Sequence, residues 1–136
     1  MQTPSEAPSP SPEDGSWPAR RQGVLDWLII ETRNERFIDN ILVELGERLQ
    51  AAGVPVARAT LHFRINHPQW LGARILWRKG LAEGEIDLYD YGTQNTALYL
   101  NSPLYVINNG GTEVRTNLED LTEEQEQSSL YADLRA

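Results

Sequence analysis

The chain contains no cysteine and only two histidines, His62 and His67. The first absence excludes a disulfide framework and a thiolate-bound metal. Two histidines fall short of the three converging ligands a metal site needs, and no carboxylate cluster stands at ligand spacing around them. No apolar run approaches the ~20 residues that cross a bilayer; the longest such patch, 24–30, is far too short. Positive charge is scarce: 12 Lys and Arg against 20 Asp and Glu leave a net charge of -8. Nonspecific binding to nucleic acid or to an anionic membrane surface is therefore disfavoured. No glycine-rich phosphate loop and no glycine-flanked serine nucleophile occur, and Asn109-Gly110-Gly111 reads as a turn. No basic-then-apolar leader opens the chain, so the expectation is a soluble, cytoplasmic protein. No cofactor and no catalytic residue is expected.

At 136 residues the chain makes one domain at most, with a core of ordinary size. Residues 1–16, MQTPSEAPSPSPEDGS, hold four prolines and almost nothing to bury. Such a segment cannot offset its ordering entropy and is expected to be a disordered tail. The domain is then 17–136. Val24, Leu25, Leu28 and Ile29 predict a short helix over 22–32. Phe37, Ile38, Ile41, Leu42, Leu45 and Leu49 form a helical stripe over 36–52. Asn34 or Thr32 is expected to cap its start, and Gly53 to close its end.

The stretch 59–80 is the organising centre of the chain. Leu61, Phe63 and Ile65 alternate with Thr60, His62 and Arg64, the period of a half-buried strand. Ala73, Ile75 and Trp77 alternate in the same way with Arg74, Leu76 and Arg78. Asn66-His67-Pro68 supplies the turn between them. A third strand is expected over 85–91, with Ile86 and Leu88 on one side and Asp87, Tyr89 and Tyr91 on the other. Tight turns join the three into an antiparallel meander. Residues 97–100 read as one helical turn, and Ser102-Pro103 as the start of another helix. A fourth strand is expected over 112–118, although Val114 is its only strong apolar residue. The acids Glu119, Asp120, Glu123, Glu124 and Glu126 suit a solvated helix start. A capping box from Thr122 to Gln125 then opens a terminal amphipathic helix bearing Leu130, Tyr131 and Leu134.

Over 23–120 the chain resembles the N-terminal input region of certain bacterial class III adenylate/guanylate cyclases. The resemblance lies in Leu61-His62-Phe63-Arg64, His67-Pro68-Gln69, Gly72, Trp77-Arg78 and Ser102-Pro103-Leu104. It implies a GAF-like sensory module upstream of a cyclase catalytic domain, whose output is altered cyclic-nucleotide synthesis in signal transduction. Such modules continue with further strands and a long terminal helix. This chain stops before them, so the expectation is a fragment or a shortened stand-alone relative. It also has no stretch matching the metal-binding aspartates of a cyclase domain, so the chain itself is expected not to be an enzyme.

The fold expected is thus α+β: a meander of three to four strands with two N-terminal helices on its apolar face. The opposite face gathers His62, Arg64, Arg74, Arg78, Tyr89 and Tyr91. Arginine forks suit carboxylates and phosphates, and tyrosines suit flat rings. These six residues are the candidate site for a small anionic or aromatic ligand, with 92–109 as a lid. The alternative is an interaction module without a ligand, in which the amphipathic helices mediate homodimer formation and the charged face is a ladder of ion pairs.

Overall fold

A computed structural model describes residues 15–135, so most of the expected N-terminal tail lies outside the described residues. The fold is α+β, a three-stranded antiparallel meander in the order β1-β2-β3 with helices before and after it. Two compact units divide the described chain. One holds the residues up to Phe63 together with Ala73–Asp87; the other holds Arg64–Gly72 and everything from Leu88 onward.

In the first unit, helix α1 spans Trp17–Ile30 and begins earlier than its apolar spacing suggests. The Ser16 hydroxyl accepts from the Ala19 N–H at 3.4 Å, and Pro18 sits in the first turn. This is a polar cap followed by a ring already set to helical φ. Only Trp27 of α1 is buried. The Arg48 guanidinium lies 4.7 Å from the centre of a Trp27 ring, and Arg48 also bonds Glu44 through both Nε and Nη2. A 3₁₀ turn, Glu31–Asn34, follows α1.

Helix α2 spans Ile38–Ala51. Neither Thr32 nor Asn34 caps it. The Thr32 hydroxyl donates back to the Leu28 carbonyl at 2.6 Å, because the chain is still winding there. The Glu35 carboxylate takes over, accepting from the Phe37 N–H and from Asn40 Nδ2. Phe37 is the extended N-cap residue and lies outside the expected stripe, exposed to solvent. At the other end Gly53 has φ +91°, a conformation that side-chain-bearing residues rarely adopt.

Strands β1 (Arg58–Arg64), β2 (Trp70–Arg78) and β3 (Glu85–Asp90) form the sheet. Leu42 and Val43 of α2 join Ile75 and Trp77 of β2 in the core, with Val56, Ala59, Leu61 and Phe63 packed around them. Gly46 is what lets α2 come so close. A Cβ there would stand 2.6 Å from three atoms of the Trp77 ring, where no side chain fits. Sequence periodicity put leucines in the stripe and passed over this glycine.

In the second unit, the Ile65 N–H bonds the Leu71 carbonyl across the expected turn. Tyr91 reaches that turn too, donating its hydroxyl to the His67 carbonyl at 2.8 Å. His67 Nδ1 accepts from the Gln69 N–H at 3.1 Å, so the ring serves turn geometry. After a 3₁₀ turn, Thr93–Asn95, come α3 (Ala97–Leu100) and α4 (Pro103–Asn108). The rings of Tyr99 and Tyr105 meet edge to face at 5.9 Å. The Ser102 hydroxyl does not cap α4 but donates to the Tyr99 carbonyl at 2.6 Å.

The expected fourth strand is absent among the described residues: 112–118 is irregular. One apolar residue cannot hold a strand on a sheet, and Arg115 pairs within its own segment with Glu113. The expected terminal helix is two: α5 (Glu123–Glu126), which carries the Thr122/Gln125 capping box, and α6 (Ser129–Arg135). Tyr131 is buried in α6 and shares a 2.9 Å hydrogen bond with the Thr116 hydroxyl.

Candidate functional site

The six candidate residues fall in both compact units. His62, Arg74 and Arg78 belong to the first; Arg64, Tyr89 and Tyr91 belong to the second. Within the first unit Arg74 and Asp87 meet across β2 and β3 through both Nε and Nη2, a charge-assisted pair on one carboxylate oxygen. The pair is only partly shielded from water. His62 is half-buried and close enough to Arg74 to feel its charge. Burial first, and the Arg74 charge second, hold its imidazole below the usual histidine range. Arg78 is exposed. In the second unit Arg64 is exposed, Tyr89 is half-buried, and Tyr91 is the residue bonded to the His67 carbonyl.

Leu76, between Arg74 and Arg78 on this face, is 1% exposed, which strand alternation does not indicate. The face is therefore closed at that point. Two cavities of about 290 and 220 Å³ lie elsewhere, the first beside Gln50, Pro55 and Lys79, the second beside Trp27, Glu31 and Glu44. None of the six residues lines either cavity. Among the described residues no group of three or more His, Asp or Glu is placed to hold a metal ion, and no helix is long and apolar enough to cross a membrane.

Charge runs across the sheet from one edge to the other. β1 carries Arg58, His62 and Arg64; β3 carries Glu85, Asp87 and Asp90. Arg74 stands between them and is answered by Asp87. The apolar face is uneven. Ile75 and Trp77 are 1% exposed, whereas Ile86 and Leu88 on β3 are 56% and 48% exposed.

The His62 environment has a pH signature. A histidine whose folded pKa lies below its unfolded value, about 6.5, binds fewer protons folded than unfolded in the window between the two. Stability therefore rises with pH through that window, and is lost as pH falls from neutral toward the folded pKa. Replacing His62 by glutamine is expected to shrink the gap in melting temperature between about pH 7.5 and about pH 5.5. The Glu35 carboxyl is also lowered, chiefly by the Phe37 N–H, but its effect falls below the usual carboxylate range and stays separate. An unchanged gap in the variant assigns the pH dependence to other groups.

The geometry defines a class: an α+β protein built on a three-stranded meander, with a basic edge, an acidic edge and an apolar face covered on one side only. No protein-family model matches the chain, and neither a curated protein nor a solved structure matches it.

Proposed function

We propose that this chain is a non-catalytic interaction module that works by self-association. The observation that carries this reading is the uncovered β3 face. Ile86 and Leu88 continue the apolar side of the sheet, yet about half of each is left to water. Single exposed apolar residues are ordinary, but an apolar strand face at a sheet edge is a surface that favours being covered. Ile29, Ile30, Phe37 and Ile38, exposed around the junction of α1 and α2, point the same way. In the form that the sequence resemblance suggests, the module is a GAF-like input region. Its assembly state is then what a downstream domain reads, and cyclic-nucleotide synthesis is the output. That form rests on the quoted residues of the central hairpin and on Ser102-Pro103-Leu104 alone. Sedimentation of the full chain over a concentration series tests the module reading. The weight-average mass is expected to climb with concentration without any added ligand; a constant monomer mass overturns it.

A second reading keeps the small ligand. It is favoured by the half-buried His62 beside Arg74, a donor pair partly removed from water. Thermal shift against phosphorylated metabolites and organic acids is then expected to raise the melting temperature, and Arg74→Ala to reduce the shift. If no compound moves the melt, the charged face is a ladder of ion pairs contributing little.

A further inference from the structure

We propose that copies of this chain associate head to tail through their sheet edges, the acidic β3 of one copy lying beside the basic β1 of the next. The proposal rests on the self-association reading and specifies its surface. β1 and β3 are both edge strands, and among the described residues no further strand pairs with either. An edge offers a row of N–H and C=O groups that templates another strand. What chooses the partner is charge. β1 has Arg58, His62 and Arg64 and no acid; β3 has Glu85, Asp87 and Asp90 and no base. Pairing β3 with a second β3 sets like charges in one ladder, and so does pairing β1 with β1. Pairing β3 with β1 sets Glu85 and Asp87 beside Arg58, His62 and Arg64 on the charged side instead, while Asp90, on the side of Ile86 and Leu88, adds its negative charge at the end of the strand.

The strands also match in other respects. They have seven and six residues. The apolar sides continue one another, Leu61 and Phe63 of one copy beside Ile86 and Leu88 of the other. Direction follows from the meander. β1 and β3 both run antiparallel to β2, hence parallel to each other. A neighbour that keeps its apolar face on the same side is related by translation, which lays its β1 parallel to the first copy's β3. Such a contact is heterologous: each added copy leaves one edge free, so growth continues and does not stop at a dimer.

Charge reversal tests the pairing on the full chain by sedimentation velocity. Glu85→Arg with Asp90→Arg makes both edges basic and leaves Asp87 to Arg74. Arg58→Glu with Arg64→Glu makes both edges acidic. Each variant alone is expected to associate at least tenfold more weakly than the parent, and an equimolar mixture of the two to restore assembly. Melting curves establish that the variants are folded. If both variants assemble as well as the parent, the edge pairing is overturned while self-association stands. If the mixture fails to restore what each variant lost, head-to-tail pairing is overturned. A parent that stays monomeric overturns both readings. Should a variant not fold, salt decides on the parent alone. Assembly unchanged between about 0.1 and about 1 M salt, as the screening length falls from ~10 to ~3 Å, overturns the charge-matched edges.

Discussion

Truncating Trp77 to alanine is expected to lower the unfolding free energy by about 3–5 kcal/mol, the cost of emptying a large aromatic site in a core. Trp77 is 1% exposed and packs with Leu42, Val43 and Ile75. The neighbouring wall is α2 backbone at Gly46, which cannot move in to refill the space without displacing the helix. A domain with a typical margin of about 5–15 kcal/mol loses much of it. Trp77→Phe is expected to cost clearly less than Trp77→Ala. It keeps a ring against Gly46 and removes Nε1, a buried donor with no hydrogen-bond partner among the described residues. An unsatisfied buried donor costs about 1–3 kcal/mol, which the phenylalanine recovers in part. Denaturant unfolding of the three proteins gives the ranking. A cost below about 1 kcal/mol for Trp77→Ala removes this residue from the centre of the core.

Leu76→Ala is expected to cost about 2–5 kcal/mol, while Ile86→Ala stays within about 1 kcal/mol. This ranking reverses what strand alternation alone implies. Leu76 stands on the side of Arg74 and Arg78, yet is 1% exposed; Ile86 stands on the apolar side, yet is 56% exposed. Burial sets the cost of truncation, and the side of the strand only correlates with it. Equal, small losses at both positions mean that the charged face is open to water at Leu76. A large loss at Ile86 means that β3 is covered in solution, and its dependence on protein concentration then separates cover by a second copy from cover within one chain.

Much of the fold was legible because it follows from local chemistry. The alternation in 59–65 and 73–78 identified two strands and their inward sides, since successive side chains must face opposite ways. The Thr122/Gln125 box and the left-handed Gly53 were legible for the same kind of reason, as each satisfies backbone groups within a few residues. Ser16 and Pro18 carried an equally local signal for the true start of α1, which apolar spacing obscured.

The candidate site was legible only as a set of residue types on a common side. Strand period placed Arg74 and Asp87 there, and the structure showed that each answers the other. Strand period places Tyr91 on the candidate ligand face; its hydroxyl donates to the His67 carbonyl, 24 positions away. Neither the depth of burial of His62 nor the closure over Leu76 is a property of the strand that carries it.

By itself, then, the sequence determined the two N-terminal helices, the three strands and their meander, the division of the sheet into an apolar and a charged side, and the opposite charges of β1 and β3. These depend on residues within a few positions of one another or on composition strand by strand. Tertiary structure decided how much of each side is covered. It buried Leu76 among charges, left Ile86 and Leu88 in water, and put Gly46 under Trp77. Periodicity states which way a side chain points; what it meets there depends on elements brought in from elsewhere in the chain.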